Sequence, residues 1–285
     1  MKLLVTTSRS VLLFDTRSGA FHPIHEGGGL YYGITPTPRH YLVAARRRMV
    51  SSATPADHER GEILVFNHRF EHVDTWQAPF ALRDMHEIKW HRGYLWVTCS
   101  FDNMVAVRTP RGGWQQWYPL GEPSGAVRDI NHFNSLALKG DDLWLLAHNR
   151  GGSEILHFDI PTRTLRSREA LGHQAHNLWR VGGRWHTCSS AEGAVVGAAG
   201  LRVPTGGFPR GIAKLPQGWV VGISELAERG RRDFTDGQLA LFDRHWREQG
   251  RHTLAGEGLV LDLLPVCGIF ATLHGLSGLR NRLFG

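Results

Sequence analysis

Three histidines stand at matching points of this sequence. His86 and His176 each come just before the polar-to-apolar switch of a repeated motif, in Met85-HEI and Ala175-HNL, and His132 lies two residues before Asn134, which holds the same place in a third copy. Neutral imidazole is the commonest protein ligand for zinc, iron and manganese. Three histidines with a fourth position left open is the usual plan of a catalytic metal site. Such an ion polarises a carbonyl and acidifies water. Glu87, next to His86, is a candidate general base or a partner that orients a ligand histidine. Arg210 holds the corresponding place in a fourth copy and is a candidate to grip an anion through paired hydrogen bonds. Asn134, Asn177, His148 and Arg46 are candidate substrate contacts. Two other readings are open at this point: a hydrated polar channel, and a hard cation such as calcium held by the oxygens of Glu87, Asn134, Asn177 and Asp262. Successive strand residues face opposite ways, so His86 and Glu87 share a direction only across a bulge.

The elements that position these residues are short strands in repeats. Three segments align: Met85-HEIKWHRGYLWVTCSFDNMVAV, Phe133-NSLALKGDDLWLLAHNRGGSEILHF and Ala175-HNLWRVGGRWHTCSSAEGAVV. Each runs from a polar start through an apolar strand, a compact turn (HRG, KGDD, GGR), an aromatic-rich strand and a third strand. Two weaker copies begin at Tyr32-GITPTPRHYLVAARR and Arg210-GIAKLPQGWVVGISE. Their third strands, GEILVFN and GQLALFD, follow insertions at 49–60 and 226–236. Aligned on Ile34, Ile88, Leu136, Leu178 and Ile212, the copies are 54, 48, 42 and 34 residues apart, about the length of one four-stranded propeller blade.

The ends supply a sixth unit. Gly258–Val266 reads as a first strand with no second, and the N-terminal KLLVTTSRSVLLFDTRSGAFHPI as second, third and fourth strands with no first. Joined, they close the ring and remove its open sheet edges. The sequence therefore predicts an all-β, six-bladed β-propeller over 1–266. In that fold the first strands start near the axis at one face, and the loops after the second strands open on the same face. Trp96, Trp144, Trp185 and Trp219, in second strands, are expected between blades. Arg46, Arg47, Arg48, Arg229, Arg231 and Arg232 fall in or beside the insertions. They form either a positive rim or an ordinary solvated surface.

The HEIKWHRGYLWV and HNLWRVGGRWHT units resemble a group of bacterial propellers whose blades carry a histidine before an apolar-aromatic hairpin, a resemblance that covers about half the chain and implies architecture alone. More distantly, the repeats are similar to the gluconolactonase, paraoxonase and strictosidine-synthase-like six-bladed propellers. That resemblance implies a central divalent cation ligated by Glu, Asn and Asp, and ester or lactone hydrolysis. Glu87, Asn134, Asn177 and Asp262 echo its ligand set.

The net charge of +7 comes almost wholly from scattered arginine, with four lysines in 285 residues. No helix-turn-helix, zinc-finger or aromatic–basic signature accompanies it, which argues against nucleic acid. No stretch reaches the ~18 apolar residues of a membrane span, and the start reads as a strand, not a leader. Cys99, Cys188 and Cys267 are an odd, unpaired set, and the expected location is the reducing cytoplasm. Cys99-Ser100 and Cys188-Ser189 match in position, as repeated packing residues or as a thiol nucleophile. The tail, 267–285, has apolar residues at roughly helical spacing and is expected to pack on the propeller or lie on a membrane surface. The functional expectation is a metal-dependent enzyme acting on a small anionic substrate, with ester or lactone hydrolysis first; a propeller that binds a protein or ligand without chemistry is the alternative.

Overall fold

A computed structural model of the chain describes residues 1–122, 129–148 and 151–266. The expected tail, 267–285, with Cys267, lies outside the described residues. Six antiparallel four-stranded sheets form the blades of a propeller. Blade one is built from both ends: Val260–Val266 pairs with Lys2–Thr7, followed by Ser10–Asp15 and Phe21–Glu26. The first strands of blades two to six are Tyr31–Pro36, Met85–His91, Ser135–Lys139, Ala175–Val181 and Phe208–Leu215. The six-bladed ring closed by its own termini, expected from the repeats, is what the chain forms.

Burial explains the composition of each blade. Middle strands are packed between neighbouring blades on both faces, so they read as unbroken apolar runs. Tyr41–Ala45 and Glu62–Phe66 are buried at every position, whereas the outer His72–Trp76 is mostly exposed. The second-strand tryptophans fill the wedges between blades as expected. The Trp144 and Trp185 rings of adjacent blades lie 5.1 Å apart, and Trp219 lies 6.1 Å from Trp179.

Five first strands break register where they reach the axis, between Tyr31 and Ile34, Met85 and Ile88, His176 and Leu178, Pro209 and Ile212, and Val260 and Asp262. Each break is a β-bulge, which re-aims the side chains around it. The axis is crowded there: a Cβ on Gly33 would meet the backbone nitrogen of Ile88 at 2.5 Å, so only glycine lets these two blades touch. The two insertions are tied together on one face. The buried Asp233 carboxylate accepts hydrogen bonds from Ser51 N at 2.7 Å and Val50 N at 3.3 Å.

Candidate metal centre

A cavity of about 720 Å³ opens on the face covered by those insertions. Its floor is built from residues entering the first strands, at two-residue spacing: Asp84 and His86, His132, Gln174 and His176, Phe208 and Arg210, with Tyr32 beside them. Arg46 and His148, each following a second strand, complete the wall. The expected histidine trio is thus brought together, and His148 joins it. Ring centres are 4.7 Å apart for His86–His132, 4.1 Å for His132–His148, 6.4 Å for His86–His176 and 6.0 Å for His148–His176. One ligand atom from each of Asp84, His86 and His132 lies within 4.8 Å of the others.

Hydrogen bonds hold the Nδ1 of each ring in the expected trio. The Nδ1 of His86 lies 2.9 Å from the Asp84 carbonyl oxygen, which can only accept, so Nδ1 carries the proton. Ser100 Oγ, 3.1 Å from the same nitrogen, donates its own proton to Phe133 O at 2.6 Å. Blade five repeats the device: His176 Nδ1 donates to Ser190 Oγ at 2.7 Å, and Ser190 donates to Pro209 O at 2.6 Å. His132 Nδ1 donates to Asp129 Oδ1 at 2.7 Å. His86 and His176, which carry their proton on Nδ1 and are kept neutral by burial, therefore have an unprotonated Nε2, and that of His176 is buried without a hydrogen-bond partner. A histidine whose other nitrogen is held in this way is the form that ligates a metal.

Electrostatics favour the same state. Burial above all, and then neighbouring positive charge, holds His176 well below the usual imidazole range. Burial does the same to His86, against the pull of Asp84. Burial, with His132 and Arg210, brings His148 down to about 3. These three rings are neutral at pH 7. Asp84 is ionised: burial acts to raise its carboxyl, but Arg46, His86, His132 and Arg210 together hold it well below the carboxylate range.

The two arginines differ. Arg46, expected as a substrate contact, lines the cavity with its guanidinium already engaged. It grips both oxygens of Glu59 at 2.8 and 2.6 Å and pairs with Asp84. Arg210 has no carboxylate within ion-pair distance among the described residues. One terminal nitrogen donates to the Tyr32 hydroxyl at 3.5 Å, the Phe208 ring lies 5.0 Å from its Cζ, and its Nε is buried without a partner. Burial accordingly lowers its pKa. A guanidinium without a carboxylate partner at the wall of a cavity is a candidate site for an anion.

Glu87, Asn134 and Asn177 sit at a second level of the axis and do not line the cavity. Past the bulge that places His86 in the cavity, Glu87 receives hydrogen bonds from Lys89 Nζ at 2.8 Å and Ser135 Oγ at 3.0 Å. Asn177 Oδ1 accepts from Gly211 N at 2.6 Å, and its Nδ2 donates to Asp262 Oδ1 at 3.4 Å. Asn134 has its Nδ2 buried without a partner. Cys99 and Cys188 are fully buried, and burial pushes both thiols up, away from the nucleophilic thiolate. Asp84, Asp129 and Ser190 are not expected at the site from sequence, and Ser100 stands out there only as the neighbour of Cys99. Their signals are there: Asp84-Met-His86, Asp129-x-x-His132, and a serine after the second strand in each of two histidine blades.

A scan against protein-family models and a search of curated protein sequences return no match. Solved structures do match. A chain of the nidogen/laminin complex is 10% identical with a TM-score of 0.63, the match covering 93% of this chain and 99% of that one. The periplasmic gluconolactonase PpgL of Pseudomonas aeruginosa is 14% identical with a TM-score of 0.60, again covering 93% and 99%. At such identity the likeness is one of fold, and it places this chain among the six-bladed β-propellers, alongside a gluconolactonase.

Proposed function

We propose that the chain is a metal-dependent hydrolase whose centre is the histidine cluster of the axial cavity and whose substrate is a small anionic ester or lactone. The observation that carries this reading is the gathering of His86, His132, His148 and His176 on one cavity, with a ligand atom from each of Asp84, His86 and His132 within 4.8 Å of the others and the Nδ1 of His86, His132 and His176 each held by a hydrogen bond. Nitrogen-rich donors with one carboxylate suit zinc, iron or manganese better than calcium. Such an ion supplies Lewis acidity, polarising a carbonyl and acidifying water. The chain's own residues do the rest. Asp84 adds negative charge beside His86 and His132, Asp129 orients His132, and Arg210 holds the substrate's anionic group at the cavity wall. The gluconolactonase of like fold supports lactones as the first substrates to try. Cys99 and Cys188, as buried free thiols, suit a reducing cytoplasm.

The test is turnover. Protein loaded with zinc, manganese or iron, and protein stripped by chelator, are assayed on aldonolactones with and without a free carboxylate or phosphate. Hydrolysis that needs the metal and prefers the acidic lactones is expected. No metal-dependent hydrolysis of any of them would leave the non-catalytic binding propeller as the better reading.

A further inference from the structure

The second level of the axis holds charge that the cavity does not use. Two carboxylates from different blades, Glu87 and Asp262, are both buried there. Burial and the Glu87 carboxylate push the Asp262 carboxyl up to about 7. Ordinary physics would neutralise such a pair with a bound cation or a shared proton. Among the described residues one basic side chain reaches them: Lys89 Nζ lies 2.8 Å from Glu87 Oε1 and within electrostatic reach of Asp262. Burial alone would lower the lysine's pKa, but these two carboxylates outweigh it and raise it. About 36% of the Lys89 side-chain surface is exposed, against 4% for Glu87.

The remaining oxygens are spoken for. Asp262 Oδ2 accepts from Ile34 N at 2.8 Å, and Oδ1 from Leu263 N at 2.9 Å. Ser135 donates to Glu87 at 3.0 Å and accepts from Leu178 N at 3.0 Å. With the Asn177–Gly211 and Asn177–Asp262 bonds, these contacts join residues of all six blades. The set of Glu87, Asn134, Asn177 and Asp262 therefore does not fit a calcium ion in this chain: Asn177 turns its amide NH₂ toward Asp262, and an ammonium holds Glu87.

We infer that Lys89 is a built-in cation, its ammonium standing where a hard divalent ion would otherwise neutralise Glu87 and Asp262 and join the blades at the axis. The propeller is thereby made independent of calcium, and exogenous metal is confined to the nitrogen donors of the cavity. Removing the ammonium while keeping the side-chain length exposes a latent calcium site.

Calcium titration calorimetry and thermal melts on the full chain test this, comparing wild type, Lys89→Met, Lys89→Met/Asp262→Asn and Glu87→Gln. Wild type is expected to show no calcium heat and a melting temperature indifferent to calcium. Lys89→Met is expected to bind one calcium and to melt at a temperature that climbs with the logarithm of calcium concentration, a response abolished by adding Asp262→Asn. Should Lys89→Met fold only when calcium is supplied, the inference is equally supported. A wild type that binds calcium and loses it in Glu87→Gln would overturn it without reference to the lysine variant. So would a folded Lys89→Met that ignores calcium. Neither outcome depends on the histidine cluster holding a metal.

Discussion

Replacing Arg46 by methionine is expected to cost about 3–5 kcal/mol of folding stability, because it strips two carboxylates of their shared counter-ion inside the protein. The Arg46 and Glu59 side chains are 7% and 0% exposed, and Asp84 beside them is 16% exposed. Urea unfolding at neutral pH checks the size. In a chain of this length the loss corresponds to a fall of about 10 °C in melting temperature. The pH dependence has a sign. Asp84 is held below the carboxylate range, so its favourable contribution is complete above about pH 4 and is lost as pH falls further. Glu59 is raised by burial even with Arg46 present, and without Arg46 it protonates more readily still. The penalty of Arg46→Met is therefore largest at neutral pH and shrinks on acidification. A variant within 1 kcal/mol of wild type at pH 7 would show that the buried pair contributes little.

Arg210→Ala carries the second large effect. A guanidinium that meets no carboxylate among the described residues is expected to spend its hydrogen bonds on the substrate, and truncating one partner of such a pair costs about 2–3 kcal/mol. On an acidic lactone the KM should rise roughly 30- to 150-fold with kcat little changed, the signature of lost binding that is equal in ground and transition states. The KM for a neutral lactone should be unaffected. Equal losses on both substrates would mean that Arg210 supports the cavity and does not read the anion. Zinc content is measured on the same variant to separate binding of the ion from binding of the substrate.

The fold was legible because its signals repeat. Compact turns between apolar strands at five places, and half-units at each end, admit few arrangements other than a closed ring. Convergence of His86, His132 and His176 followed from that geometry alone. What sequence could not give was direction along the axis. The bulge after Met85 sends His86 into the cavity and Glu87 to a deeper level, and a strand's two-residue alternation does not say which way a bulge resolves. Pairing was equally hidden. Arg46 and Arg210 look alike in sequence, yet Arg46 is neutralised by Glu59, thirteen residues on in the blade-two insertion, and Arg210 is not. The Cys-Ser pair of blade three drew attention for its thiol, whereas the serine, by fixing the Nδ1 proton of His86, bears on the site. Ser190 does this for His176, one position beyond Ser189. In the sequence Lys89 is one residue of an aromatic strand, and only its position at the axis gives it meaning.

The central claim, that the histidine cluster is a metal centre, is most directly tested by zinc binding to the chelator-stripped protein, followed by elemental analysis after gel filtration and repeated on His86→Ala and His176→Ala. The structure predicts one zinc per chain in the wild type and none retained in either variant, with both variants still folded. A stripped wild type that keeps its fold and takes up no zinc, iron or manganese would contradict it, as would variants that hold the ion as well as the wild type does.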